Sequence, residues 1–376
     1  MADLTPAQEL KLGMLAEGVV LTASARSWLE EVTAGRGLTP ADYASTSGLI
    51  LRLEDDVWVN APFIDHNPNF VDVSQYMVDL DGDELCVRGP EGISRAWFWP
   101  QPEYHGRASQ SGPINNYVVT HGDRARLSPI RSCSMICDFC NIPYDDPISV
   151  YATKPIAACV DALATAFADP LQPAQHILIS GGTPKPKDVP FEQELYRAVL
   201  TRFAGVDVDI MMAPVKGVLD LEDLARHGIH ELSVNVEIFD KDLARGRMRS
   251  KYNQGLDSYL DFIAAGTEAL GPSRIRSILL VGLEPVESTL AGVKAIAERG
   301  GVPVLSPFRP DLATPMANVP PPSATTMREV FLRAREITEA LGTYLGPDCP
   351  PCTHNTLGFA EVDGAITYRH TLPEMI

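Results

Sequence analysis

Three cysteines fall within eight residues of the stretch RSCSMICDFCN, which spans residues 131–141. They are Cys133, Cys137 and Cys140, so their spacing is i, i+4, i+7. The apolar run 127–130 immediately before them predicts a β-strand. Thiolates are soft ligands that suit zinc and iron–sulfur clusters. Three of them in one short loop can hold a cluster and leave one iron without a protein ligand, so the stretch predicts a cluster or metal site directly after a strand.

Outward from this loop, short apolar runs alternate with longer amphipathic stretches. The strand-like runs are residues 127–130, 176–179, 206–212, 231–237, 275–283 and 302–306. The helical stretches lie near residues 154–167, 191–203, 221–227, 256–270, 290–299 and 324–341. Six β–α repeats with short connections predict an α/β fold with a parallel sheet and helices outside it. A partial (βα)6 TIM-type barrel fits this count, and a doubly wound sheet has the same local pattern.

Residues 1–115 follow a different pattern. Two helical stretches are followed by short strand-like pieces separated by turn residues such as those of Asp81-Gly82-Asp83. This pattern predicts a small N-terminal α+β accessory or cap domain. We expect the barrel to occupy residues 116–345 and an irregular C-terminal tail to occupy residues 346–376.

Charge and cysteine content exclude several classes of protein. The chain has 31 Lys and Arg against 49 Asp and Glu, a net charge of −18, which argues against binding to nucleic acid. It has no run of about 18 apolar residues, and its start lacks a basic segment followed by an apolar one. Seven cysteines, clustered and odd in number, favour a metal or cluster protein over a disulfide scaffold. We therefore expect a cytoplasmic protein without a membrane or nucleic-acid partner.

The cysteine spacing, with the aromatic Phe139 before the last cysteine, resembles the signature of the radical S-adenosylmethionine (SAM) superfamily. The resemblance extends over about residues 118–316 and is strongest to the subgroup of biotin synthase and lipoyl synthase. It implies that Cys133, Cys137 and Cys140 hold a 4Fe–4S cluster whose open iron binds SAM. It further implies an electron donor such as flavodoxin or ferredoxin, and a 5′-deoxyadenosyl radical that abstracts hydrogen from a small-molecule substrate.

The same resemblance implies contacts to SAM. Phe139 belongs to this set, and Gly181, Gly182 and Thr183, at the end of the second strand, match the segment that contacts the SAM amino group. An arginine after the fourth strand would pair with the SAM carboxylate, with Arg249 preferred and Arg247 as the alternative.

The fourth strand-like run alternates, so Ser233, Asn235 and Glu237 share one face. Polar groups that point into a barrel are costly to bury without partners, which predicts a polar ligand on that face. By the resemblance, that ligand is the ribose of SAM.

The tail contains a C-x-x-C pair, Cys349 and Cys352, followed by His354 and Asn355. These four residues and Arg309 are the candidates for catalytic roles. The pair could ligate an auxiliary metal or cluster, form a redox pair, contact substrate or be inert structure. Because only two thiolates are local, a cluster would need a further ligand, and His354, Cys86, Cys159 or an external ligand could supply it.

Three functions remain open from the sequence. The first is a radical SAM enzyme that abstracts hydrogen from a small molecule in a biosynthetic rearrangement or in C–C or C–S bond formation. The second cleaves SAM differently and transfers its 3-amino-3-carboxypropyl group to an acceptor. The third, of another class, is a non-catalytic metal- or cluster-binding protein.

Overall fold

The structure is a computed structural model that describes residues 3–33, 48–62, 74–109 and 112–359. Its N-terminal part begins with helices α1 (Pro6–Glu17) and α2 (Ala23–Val32). Thr5 starts α1 with a capping box, because its hydroxyl accepts from the backbone N–H of Gln8 while the Gln8 side chain accepts from the backbone N–H of Thr5. Two residues that are near each other in the sequence thus fix the start of this helix through their mutual hydrogen bonds.

A six-stranded sheet packs with these helices and has the order β1-β4-β5-β6-β2-β3. Its strands are β1 (Val20–Leu21), β2 (Gly48–Leu53), β3 (Trp58–Pro62), β4 (Met77–Asp81), β5 (Glu84–Gly89) and β6 (Gly92–Phe98). Gly82 turns the chain between β4 and β5 with a φ of 67°, which glycine adopts without strain. A short ribbon of β7 (Ala108–Ser109) and β8 (Gly112–Pro113) follows. The mixture of helices and an almost entirely antiparallel sheet agrees with the predicted α+β character.

The second part of the chain is built on a seven-stranded sheet of order β9-β10-β13-β14-β15-β16-β17. The strands of this part are β9 (Val118–His121), β10 (Arg124–Leu127), β11 (Ile130–Arg131), β12 (Ala152–Thr153), β13 (His176–Ile179), β14 (Val208–Met211), β15 (Glu231–Ser233), β16 (Ile275–Val281) and β17 (Val302–Pro307). Strand β9 is antiparallel to β10 at one edge, and the other six strands are parallel and in chain order. The predicted α/β fold with a partial (βα)6 barrel is confirmed.

Helices connect these strands and cover the outside of the sheet. They are α3 (Ile142–Asp145), α4 (Ile156–Phe167), α5 (Val189–Arg202), α6 (Leu221–Arg226), α7 (Lys241–Arg247), α8 (Arg249–Gln254), α9 (Leu256–Leu270), α10 (Val286–Ala297) and α11 (Ala324–Ala340). Side chains such as Ile177, Ile179 and Leu232 are fully buried between sheet and helices. Because all six parallel strands run the same way, their carboxyl ends and the loops that follow them meet at one end of the barrel.

The largest differences from the predicted strand boundaries fall on the first and fourth barrel strands. The first barrel strand runs from Arg124 to Leu127 rather than over 127–130, because Pro129 has no N–H to donate to a ladder. Its alternation of Arg124 and Arg126 with buried Ala125 and Leu127 hides it from a search for apolar runs. The fourth strand ends at Ser233 rather than residue 237, and only an isolated bridge pairs Glu237 with Leu279 beyond it.

Among the described residues, no helix combines the length and apolar character needed to cross a membrane. The division into a domain of residues 1–115, a barrel of 116–345 and a tail of 346–376 stays a prediction. Residues 360–376 of that tail lie outside the described part of the chain.

Glu192 on α5 has a carboxyl group that the fold buries completely. Burial raises its pKa from 4.5 to about 7, and the hydroxyl of Tyr196 opposes this rise only in part. The unfolded chain therefore loses the proton at a lower pH than the folded chain, and stability falls as pH rises from 4.5 through 7, by about 3 kcal/mol in all. Glu192→Gln is expected to raise the melting temperature clearly at pH 8 and little at pH 5. A shift of equal size at both pH values would contradict this account.

Candidate active site

The loop of the three cysteines follows β11 and docks on the loop that follows β13. The backbone N–H of Ser134 donates to the carbonyl of Thr183 over 3.0 Å, and the Ser134 hydroxyl donates to the carbonyl of Pro184 over 3.0 Å. A Cβ atom at Gly182 would lie 1.7 Å from the carbonyl oxygen of Ser132. Gly182 is thus required for the two loops to approach so closely. Its role in the structure is to bring them together, and it does not line the cavity beside the cysteine sulfurs, although it lines the neighbouring one.

The sulfur of Cys133 accepts two backbone hydrogen bonds, from Thr183 over 3.1 Å and from Met135 over 3.3 Å. Such donors stabilise a thiolate. Burial raises the pKa of Cys140 to about 11 and that of Cys137 further. The latter two thiols therefore favour the neutral form unless a metal centre replaces their protons. All three cysteines are free of disulfides, so their sulfurs are available as ligands.

A cavity of about 260 Å³ opens beside these sulfurs at the carboxyl ends of the strands. Its lining includes most of the residues that the sequence singles out for the cluster and for SAM. They are Cys133, Cys137, Phe139, Cys140, Gly181, Thr183, Asn235 and Glu237. The strand ends meet here because the barrel is parallel, which is why residues up to a hundred positions apart share one cavity. Among the predicted set, Gly182, Ser233 and Arg249 do not line it.

Ser233 lies beneath the cavity and orients one of its lining residues. It is fully buried, and its hydroxyl donates to the amide oxygen of Asn235 over 2.8 Å. The same oxygen accepts from the backbone N–H of Ile278 over 3.2 Å. Because its amide oxygen accepts two hydrogen bonds within the protein, Asn235 has its NH₂ group available as a donor to a ligand.

Lys251 is one of two cations that line the cavity, and it is absent from the residues predicted from the sequence. Its ammonium lies 2.6 Å from Oε2 of Glu237 and donates to the carbonyl of Asn235 over 3.3 Å. Burial lowers the pKa of Lys251, but the charge of Glu237 more than offsets this and the net shift is upward. Lys251 is therefore charged. It lies beside Asn235 and Glu237, the residues that the sequence predicted to continue the fourth strand.

Arg249 and Arg247 lie elsewhere, although they belong to the same basic stretch. Both are exposed, and Arg247 pairs with Asp138 over 3.4 Å while its carbonyl accepts from the backbone N–H of Asp138 over 2.8 Å. Arg247 thus helps to hold the cysteine loop. Residues 249 and 251 are two positions apart on α8, so they point to opposite sides of a helix with 3.6 residues per turn. The position of each residue around the helix therefore explains why Lys251 lines the cavity and Arg249 does not.

Arg126 was also missed, and it lines both this cavity and a neighbouring one of about 590 Å³. Its side chain comes from β10, where it alternates with core residues and so points into the barrel. Burial lowers the pKa of Arg126, and the nearby Cys140 raises it in part. Lys154 lines the neighbouring cavity too, where it donates to the carbonyls of Ser128 and Asn116. Arg131, Asp145 and Asp146 complete the charged part of its lining, so the second cavity carries groups of both signs.

The structure places the five catalytic candidates away from the cavity. Arg309 is half-buried and donates to the carbonyl of Asn60 in the N-terminal sheet over 2.6 Å. The carbonyl of Asn355 accepts from the hydroxyl of Ser306 over 3.4 Å. His354 stacks on His121 with ring centres 6.1 Å apart, and burial lowers its pKa to about 3. His354 and Asn355 thus join the tail to the rest of the fold, and Arg309 joins the barrel to the N-terminal sheet.

Cys349 and Cys352 complete the set of candidates. Their sulfurs lie 3.7 and 3.5 Å from Nε2 of His176, the first residue of β13. Gly181 and Thr183 follow the other end of the same strand. The C-x-x-C pair is therefore at the end of the barrel opposite the cavity.

Gly182→Ala tests whether the two loops must touch. The added methyl group would collide with the Ser132 carbonyl, so the cysteine loop must move and we expect the iron content after reconstitution to fall by more than half. Gly246→Ala is the matched control, because a Cβ atom at that position on α7 has open space around it. Retention of the full iron content in Gly182→Ala would contradict the close approach of the loops.

Comparison with known proteins gives one family and two solved structures. Residues 127–289 match the family model of the radical SAM superfamily. The X-ray structure of the FeFe-hydrogenase maturase HydG from Carboxydothermus hydrogenoformans aligns with a TM-score of 0.47 and 18% identity, over 63% of this chain and 57% of that one. A second crystal structure of HydG, a maturase of the [FeFe]-hydrogenase, aligns with a TM-score of 0.46 and 12% identity, over 57% and 49% of the two chains. The chain thus spans about half the length of these structures, and no curated protein matches it.

Proposed function

We propose that this chain, whose residues 127–289 match the radical SAM superfamily, is a radical SAM enzyme in which Cys133, Cys137 and Cys140 hold the 4Fe–4S cluster. The observation that carries this proposal is the single cavity that all three cysteines line together with polar groups suited to SAM. When bound, the reduced cluster supplies the electron that cleaves SAM to methionine and a 5′-deoxyadenosyl radical. The biotin synthase-like subgroup stays a hypothesis.

The size of the cysteine site suits a cluster better than a single ion. Two groups of at least three His, Cys, Asp or Glu among the described residues hold their ligand atoms within 4.8 Å of one another, and the loop cysteines form neither. A cluster distributes its ligands over separate irons, so its sulfurs lie farther apart than the ligands of one ion. The donor hydrogen bonds to Cys133 support the thiolate that iron requires.

Polar residues of the cavity divide between the two ends of SAM. The ammonium of Lys251 suits the SAM carboxylate, and the backbone beside Gly181 and Thr183 suits its amino group. The NH₂ group of Asn235 and the carboxylate of Glu237 suit the ribose hydroxyls, one as donor and one as acceptor. Phe139 contributes an apolar wall next to the last cysteine. Lys251 replaces Arg249 in this proposal because it alone of the two lines the cavity.

The substrate proposed for this enzyme is a small molecule in the neighbouring cavity of about 590 Å³. That volume is within the usual range for small-molecule sites. Arg126 lines both cavities, so it would lie between the cofactor and the substrate. Because its lining carries both cations and carboxylates, the cavity favours a strongly polar substrate. Hydrogen abstraction from it is the proposed reaction.

Electrons are proposed to enter through the cysteine loop. Ile136, between Cys133 and Cys137, is 55% exposed, so the loop reaches the surface where a donor can approach. A flavodoxin or ferredoxin in the cytoplasm is the donor expected from the superfamily.

The products of SAM cleavage test the proposed function. After anaerobic reconstitution with iron and sulfide and reduction with dithionite, we expect 5′-deoxyadenosine by mass spectrometry. Methylthioadenosine in its place would indicate transfer of the 3-amino-3-carboxypropyl group and overturn the radical proposed here. A fully assembled cluster that yields neither product with any reductant would instead identify a non-catalytic cluster protein.

A further inference from the structure

Four potential metal ligands meet at the end of the barrel opposite the cavity. They are Asp123, just before β10; His176, the first residue of β13; and Cys349 and Cys352 of the tail. The carboxylate oxygen, the ring nitrogen and the two sulfurs all lie within 4.8 Å of one another. Asp123, His176 and Cys352 are buried, with at most 5% of their surface exposed. A compact group drawn from three distant segments is an arrangement that one ion can explain.

Four distances within this group match a tetrahedral site, and the contact between the two sulfurs, which is that of an oxidised pair, does not. The sulfur of Cys349 lies 3.7 Å from Nε2 of His176 and 3.8 Å from Oδ1 of Asp123. The sulfur of Cys352 is 3.5 Å from that nitrogen, and the nitrogen is 3.3 Å from the carboxylate oxygen. Ligands placed tetrahedrally around Zn²⁺ at its usual bond lengths are separated by roughly 3.4–3.8 Å. Four independent distances thus agree with one zinc-sized centre.

The chemistry of the ligands also favours zinc. Two thiolates, one imidazole and one carboxylate form a complete tetrahedral set for a structural site, and C-x-x-C is a common zinc spacing. The backbone N–H of Cys352 donates to the Cys349 sulfur over 3.3 Å, which supports a thiolate there. The two sulfurs are also in disulfide contact with each other, so an oxidised pair is the competing state. A cluster is disfavoured because its ligands would lie farther apart.

The second compact group, Asp209, His230 and Glu231, is different in kind. The guanidinium of Arg276 lies 2.5 Å from the Asp209 carboxylate and 2.9 Å from that of Glu231. An arginine therefore already supplies the positive charge that these carboxylates need. Asp209, His230 and Glu231 therefore belong to an ion-pair network, whereas the group at the tail suits a metal ion.

We propose that Asp123, His176, Cys349 and Cys352 bind one structural Zn²⁺ ion, independently of the 4Fe–4S cluster. The ion fastens the tail to the amino ends of β10 and β13. The tail in turn holds α1, because the buried ammonium of Lys11 donates to the carbonyls of Thr353 and Gly358 over 2.9 and 2.7 Å. Zinc thus connects the barrel, the tail and the N-terminal part of the chain.

Metal analysis of the full, untagged chain purified anaerobically tests this proposal. We expect about one zinc per chain, retained in the cluster-free Cys133→Ala/Cys137→Ala/Cys140→Ala variant. Cys349→Ala and His176→Ala should each lower zinc at least fivefold. Cys86→Ala is the matched control, since Cys86 is a buried free cysteine in β5, and it should keep zinc. Iron is measured in the same samples, so failure of the cluster proposal and failure of the zinc proposal are distinguishable.

Two further measurements keep the test decisive if the alanine variants fold poorly. His176→Cys offers another zinc ligand at the same place and should retain zinc. Cobalt(II) exchanged into the wild-type chain should show the thiolate charge-transfer band and intense visible bands of a tetrahedral site. The proposal is overturned by zinc-free wild-type protein with a Cys349–Cys352 disulfide, by cobalt spectra without thiolate bands, or by loss of iron rather than zinc in Cys349→Ala.

Discussion

Simultaneous replacement of Cys133, Cys137 and Cys140 by alanine is expected to lower iron from about four atoms per chain to near zero and to abolish SAM cleavage. The physical reason is that the described part of the chain offers this cavity no other thiolates. Inductively coupled plasma mass spectrometry gives the iron content, and the yield of 5′-deoxyadenosine gives the activity.

The control for this prediction is Cys159→Ala. Cys159 is a free, fully buried cysteine on α4, so its replacement removes one thiol without touching the cavity. It should keep iron and activity close to the wild-type values. Iron that persists in the triple alanine variant would mean that the cluster sits elsewhere in the chain.

Lys251→Met is expected to weaken SAM binding by about 10- to 100-fold. A hydrogen bond to a charged group contributes about 1.5–3 kcal/mol, and each 1.4 kcal/mol changes affinity tenfold. Equilibrium dialysis of labelled SAM against the reconstituted protein measures the change. Arg249→Met is the matched control, since it removes an exposed cation from the same helix and should change affinity less than twofold.

Loss of the lysine leaves the carboxylate of Glu237 without its ion-pair partner, which can destabilise the fold. Glu237→Gln/Lys251→Met removes both charges, so it should recover the melting temperature while SAM affinity stays low. The account is contradicted if Arg249→Met weakens SAM binding and Lys251→Met does not.

The sequence predicts those features of the site that depend on local spacing and strand order. Cys133, Cys137 and Cys140 are close in the chain, and Gly181, Thr183, Asn235 and Glu237 follow strands that a parallel barrel must bring to one end. Such placement needs only the order of the strands. It does not need the bounds of each strand to be right, which is why the shifted start of β10 leaves the loop correctly placed.

The sequence does not predict features that depend on where a helix begins or on contacts between distant segments. Whether residue 249 or 251 enters the cavity depends on where α8 begins, and an error of one residue turns a side chain by about 100°. Asp123 and His176 are more than 170 residues from Cys349 and carry no motif that links them to it. The sequence suggested His354, Cys86 and Cys159 as further ligands, and the structure places Asp123 and His176 at the tail cysteines instead.

The loop cysteines are proposed to hold a cluster with an open iron that SAM occupies. Electron paramagnetic resonance of the reduced, reconstituted protein tests it most directly, with spectra recorded before and after addition of SAM. We predict the signal of a reduced 4Fe–4S cluster whose g values shift when SAM binds, in the wild-type chain and in Cys349→Ala/Cys352→Ala alike. A signal that SAM leaves unchanged, or one that disappears only when the tail cysteines are replaced, would contradict the account.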